Sequence, residues 1–93
     1  MNSVDAEIAF QREMEAAGAV AVVTWGNDPG YHYSAHAHPY RKVPCCLDGC
    51  IVFHLPDGDE VLAAGGRLLI DPDVSHSASV GPDGVRCVEA HFD

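Results

Sequence analysis

Along the first twenty residues, apolar and charged positions interleave at helical spacing. Ile8, Met14 and Ala17 alternate with Asp5, Glu7, Arg12, Glu13 and Glu15, which predicts a helix over about 4–17 with Gly18 as its C-terminal cap. Phe10 falls off the best apolar stripe of that helix. Beyond Gly18 the pattern changes to short runs rich in β-branched and aromatic residues, punctuated by Gly, Pro, Asn and Asp. The runs cover 19–25, 31–38, 43–47, 50–55, 60–63, 67–70, 77–80 and 85–92. Turn signals separate them: Asn27-Asp28-Pro29-Gly30, Pro56-Asp57-Gly58-Asp59, Gly65-Gly66, Asp71-Pro72-Asp73 and Gly81-Pro82-Asp83-Gly84. Asp48-Gly49 has the form of a two-residue hairpin turn joining 43–47 to 50–55. Seven or eight short strands at this spacing predict an all-β sandwich or barrel behind one helix.

A chain of 93 residues supports one core, so the division is an N-terminal helix over 1–18 and a β domain over 19–93, one domain in all. With a net charge of −9 and only five Lys and Arg, the chain repels phosphate backbones and anionic lipid, so neither nucleic acid nor a membrane surface is an expected partner. No run approaches the ~18 apolar residues of a membrane span, and no basic segment followed by an apolar one opens the chain, so the expected location is cytoplasmic. Cys45, Cys46, Cys50 and Cys87 lack a secreted disulfide spacing. Adjacent Cys45 and Cys46 would face opposite sides of a strand, which suits reduced thiols used for packing. No phosphate-binding glycine loop and no Gly-x-Ser-x-Gly elbow is present.

Histidine carries the chemistry that is left. His36 and His38 are separated by one residue, so in a strand both imidazoles point to one face. His76 follows a Pro-marked turn. Three neutral imidazoles meeting inside a barrel would make a first-row transition-metal site.

The spacing of these residues resembles the cupin family, small double-stranded β-helix (jelly-roll) barrels of the RmlC-like kind. That family's first motif is Gly, five residues, His-x-His, three or four residues, Glu, six residues, Gly. Gly30, His36, His38, position 42 and Gly49 match it at every point, with Lys42 in place of Glu. In the second motif Gly65 and His76 match, while Asp71 replaces a Pro, Asp73 a Gly and Val80 an Asn. The resemblance covers about 20–92. It implies a cupin barrel, with His36, His38 and His76 holding a divalent transition metal (Fe, Mn, Ni, Zn or Cu). It also implies a homodimer. It does not choose among the family's oxygenases, isomerases and binding modules.

The position of Lys42 limits the functional reading. An ammonium facing the metal is repelled by it, so Lys42 lies at the exposed end of a strand, snorkels outward, loses its charge through burial, occupies the site as a substitute cation, or binds an anionic substrate or stabilises an oxyanion from within. Lys42 and Tyr40 are the candidate catalytic residues around a small-molecule ligand or substrate. Glu89 or His91 replaces the missing ligand if their face points inward, and His32 rims the pocket if no bulge separates it from His36. His54 reads as a satisfied or exposed side chain, and Trp25 as a packing anchor. Two functions follow: a metal-dependent oxygenase or isomerase, or a non-catalytic barrel that captures a metal or small ligand.

Overall fold

Two long antiparallel strands organise the chain, which a computed structural model describes over residues 2–93. In chain order the elements are α1 (Ser3–Ala16), β1 (Ala21–Asn27), β2 (His32–His36), β3 (Arg41–Leu55), β4 (Gly58–Ala63) and β5 (His76–Phe92). β3 and β5 pair from Arg41↔Phe92 to His54↔Ser77. β1 pairs with the C-terminal half of β5 and β2 with its N-terminal half, while β4 pairs with the C-terminal half of β3. The result is an all-β double-stranded β-helix behind one short helix.

Two expected turns are bends inside these strands. Neither Asp48-Gly49 nor Gly81-Pro82-Asp83-Gly84 reverses the chain; β3 and β5 run straight through them. The β3–β5 register slips between Cys46 and Asp48 and again between Gly49 and Ile51. A slip of one residue moves every later side chain to the other face. Cys46 is buried before the bend and Ile51 and Phe53 after it; on β5, Ala78 and Val80 are buried before it and Val85 and Cys87 after. Even positions therefore face the interior on one side of the bend and odd positions on the other, so one strand lines both walls. The segment 67–70, expected as a strand, contributes isolated bridges from Ile70 to Lys42 and from Arg67 to Cys45.

The alternation produces two cores. Cys46, Ile51, Phe53, Val80 and Cys87 pack inside the barrel. Phe10, Met14, Cys45, Leu47, Val88 and Ala90 pack between α1 and the sheet's outer face. Cys45 and Cys46 thus enter different cores, and all four cysteines are free thiols. Burial pushes the Cys87 thiol far up, and raises Cys45 and Cys46 as well. Such thiols are packing groups, not nucleophiles.

The helix begins with the Asn2 side chain accepting from the Asp5 amide at 2.9 Å. It ends in a Schellman motif: the Ala19 amide reaches the Met14 carbonyl at 3.0 Å, and the Gly18 amide reaches that of Glu15 at 3.1 Å. Its buried stripe is not the expected one. Phe10 is 1% exposed and Ile8 41%. Ala6, Phe10 and Met14, four residues apart, form the packed face because the largest ring fills the gap over β3 and β5. Arg67 closes over Phe10, its guanidinium 5.0 Å from the ring centre, and is held there by both oxygens of Glu13. No helix among the described residues is long and apolar enough to cross a membrane.

Gly49 has φ +75, and a Cβ there would stand 2.0 Å from the Gly84 carbonyl oxygen. Gly65 has φ +88 with open space around it. Gly65→Ala should cost only the left-handed backbone strain, about 1–2 kcal/mol. Gly49→Ala should cost several-fold more and broaden the unfolding transition. Urea denaturation of the two variants side by side measures the difference.

Candidate metal centre

The bend that lets β3 and β5 line both walls encloses a cavity of about 190 Å³, with Trp25, Tyr33, Phe53 and Ala78 as its less polar walls and His36, Lys42, His76 and Glu89 as its polar ones. The ligating nitrogens of His36, His38 and His76 lie within 4.8 Å of one another. The His36 and His38 rings are 4.8 Å apart between centres, and those of His36 and His76 are 4.5 Å apart. The chain reaches this arrangement by an unexpected path. His36 is the last residue of β2, and His38 lies beyond the strand. Its carbonyl accepts from the Asp73 amide at 2.7 Å, which ties that loop to the turn before His76. Asp73, standing where the resemblance has a glycine, has φ 65. Asp is one of the few side chains that enters this region readily.

Two of the imidazoles are fixed in tautomer and direction. Nδ1 of His36 donates to the Ser34 carbonyl at 2.7 Å, and Nδ1 of His76 donates to the Val74 carbonyl at 2.9 Å. Each therefore keeps a lone pair on Nε2. Nε2 of His76 is buried and has no hydrogen-bond partner among the described residues. A buried acceptor without a donor costs about 1–3 kcal/mol. A backbone carbonyl orienting an imidazole whose other nitrogen is free is the usual support of a metal ligand. The donor set thus fits a divalent transition metal. Burial pulls His76 and His38 below the ordinary imidazole value, and the charge of Lys42 adds to the effect, so both stay neutral and able to ligate.

Lys42 is not at an exposed strand end. It is 7% exposed and points into the cavity, where Nζ lies 3.3 Å from Oε1 of Glu89. Even positions of β3 and odd positions of β5 face inward here, which brings the two together. Glu89 also accepts from Trp25 Nε1 at 3.2 Å and from His91 Nε2 at 2.6 Å. Its face does point inward, but its oxygens are engaged by two hydrogen bonds and by the ion pair with Lys42, and it falls outside the three-histidine cluster. Glu89 is therefore the anion beside the histidines, with His91 behind it. Tyr40 stacks on His38 with ring centres 5.0 Å apart and tilts over His91 at 4.5 Å. Trp25 proves more than a packing anchor, because it donates to Glu89. Tyr33 also lines the cavity. His32 does not rim the cavity: a register slip between Tyr33 and His36 turns it to the other face.

No family model and no curated protein matches the chain. Solved structures do. An RmlC-like cupin from Shewanella frigidimarina is 25% identical with a TM-score of 0.71, over 78% of this chain and 65% of that one. A double-stranded β-helix protein from Klebsiella pneumoniae is 27% identical with a TM-score of 0.66, over 75% and 64%. A DMSP lyase from Ruegeria pomeroyi shares the fold at 16% identity and a TM-score of 0.76, over 81% and 39%. The chain thus spans less than two thirds of each of these proteins. Its fold is that of the cupin superfamily.

The buried pair predicts a stability test. Lys42→Met leaves a carboxylate buried without its cation and should cost about 3–5 kcal/mol; Glu89→Gln should cost a similar amount, and the double variant less than the sum. Denaturation midpoints of the four proteins check this. The histidines predict a pH response of the metal-free protein. The folded pKa of His38 and of His76 lies below the unfolded value, so these two add stability above the unfolded value and lose it as pH falls through the folded one. Unfolding free energy should therefore fall below about pH 6.5, where free imidazole titrates. Glu7 and Glu13, held low by Arg86 and Arg67, act only below the ordinary carboxylate range.

Proposed function

We propose that this protein binds one divalent transition metal through His36, His38 and His76 and holds a small-molecule ligand or substrate on the open side of that metal. The observation that carries the reading is His76 Nε2, a buried lone pair with its tautomer fixed from behind and no protein donor in front of it. Imidazole donors suit Zn, Cu, Fe and Ni. Three protein ligands leave positions open for water or substrate.

Lys42 and Glu89 favour the enzyme form of this reading over simple storage of a metal. A bound metal would supply Lewis acidity to a substrate oxygen. Lys42 Nζ, with three donors beside its ion pair with Glu89, would hold an anionic group of the substrate. Glu89 would accept a proton, and His91, hydrogen-bonded to it and 19% exposed, leads towards solvent. Tyr40 would position His38 through ring stacking. The cavity of about 190 Å³ suits a small substrate. An oxygenase or isomerase acting on a small anion fits these groups. The same reading has the protein in the cytoplasm and as a homodimer, without nucleic-acid or membrane partners. Val23 on β1 and Val61 on β4, exposed on the strands at the two ends of the sheet order, support pairing.

Protein purified without an affinity tag should carry close to one equivalent of a transition metal by elemental analysis, and His36→Ala and His76→Ala should each remove most of it while retaining the fold. A chain that stays empty and refuses added Ni, Zn, Fe and Mn would be a metal-free ligand-binding barrel. Lys42→Glu should tighten metal binding, because position 42 points into the cavity and the carboxylate can reach. Weaker binding would show that Lys42 itself supports the site.

A further inference from the structure

A hydrogen-bonded row crosses the face of the sheet opposite the cavity. Phe53 and Ala78 line the cavity, so their neighbours His54 and Ser79 point the other way. Asp59 on β4 is the register partner of His54 on β3, and His32 on β2 is the partner of Ser79 on β5. His54 Nδ1 lies 2.8 Å from Asp59 Oδ1, and His54 Nε2 lies 2.9 Å from Ser79 Oγ. His32 Nδ1 stands 3.4 Å from the same Oγ on the opposite side. With Nδ1–H donated to the carboxylate, Nε2 is the free acceptor and faces the serine hydroxyl. Both distances fall within the reach expected of a nucleophile, its base and the group that orients the base. The row is open to solvent: the His54 and Asp59 side chains are 35% and 61% exposed.

We propose that Ser79 is an activated nucleophile, with His54 as its general base and Asp59 as the residue that orients His54, and that it accepts acyl groups from small activated esters. As Ser79 Oγ bonds to the acyl carbon, its proton passes to His54 Nε2. The carbon–oxygen bond to the leaving alcohol then breaks, and the alcohol departs with that proton. Water repeats the sequence on the acyl-serine, releasing the carboxylic acid and restoring the hydroxyl. The His54 and Asp59 side chains are open to solvent rather than enclosed, which restricts the substrates to short acyl esters with good leaving groups, 4-nitrophenyl acetate being the simplest. This site is independent of the metal.

The test is covalent labelling of the full chain with a fluorophosphonate, in which Oγ bonds to phosphorus and fluoride leaves. Intact mass should rise by one phosphonyl group, and peptide mapping should place it on Ser79, with or without a chelator present. Ser79→Ala should abolish labelling, and Ser77→Ala, on the same face, should leave it unchanged. His54→Gln should slow it by about 100-fold or more, the share a positioned base supplies. Asp59→Asn should slow it by a smaller factor, and the 4-nitrophenolate burst should follow the same order. An unlabelled wild-type protein, a label on any other residue, or a rate untouched by His54→Gln would overturn the proposal.

Discussion

Every feature of this protein depends on the antiparallel pairing of β3 with β5 and on the bend they share. Strands of 15 and 17 residues would form a flat ribbon if their registers were regular. The slips around Gly49 fold that ribbon over, so that one pair of strands supplies two walls. At the bend the Gly84 backbone leaves no room for a side chain on Gly49, while a side chain on Gly84 would press on Asn27 and Pro29. The change of parity has a chemical consequence. It places Lys42 and Glu89 on the inner face beside the histidines, and Val88 and Ala90 on the outer face beneath the helix.

The buried pair and the histidines form one electrostatic unit. Taking two charges out of water costs several kcal/mol per ion, and their attraction only roughly repays it. Lys42 and Glu89 are therefore a poor device for stability and a useful one for chemistry. The ammonium helps keep His38 and His76 neutral, and the carboxylate is held in place by Lys42, Trp25 and His91. Where the resemblance has a carboxylate on β3, this chain has a cation, and the carboxylate beside the histidines comes from β5.

Much of this was legible in the sequence because spacing survives folding. The His36-Ala37-His38 pair, His76 and the glycines around them specified the barrel, and the three imidazoles do come together. What could not be read were the consequences of register. Asp48-Gly49 and Gly81-Pro82-Asp83-Gly84 carry the composition of turns, and only pairing over the full length of β3 and β5 shows that they are bends. The inward direction of Lys42, the Lys42–Glu89 contact and the outward turn of His32 all follow from slips in register. Phe10 was missed for a related reason. A helix with several apolar residues offers more than one stripe, and the shape of the sheet chooses between them. Asp73 is the exception that a local signal could have found, since Asp in a glycine position predicts a left-handed residue.

The central claim is that the orphaned nitrogen of His76 is a metal ligand. A crystal of the untagged protein grown with zinc and measured at the zinc absorption edge tests it most directly. The account predicts one anomalous peak at bonding distance from His36, His38 and His76, with Lys42 and Glu89 still paired beside it. A peak elsewhere, or a structure in which His76 Nε2 hydrogen-bonds to ordered water at full zinc loading, would contradict it.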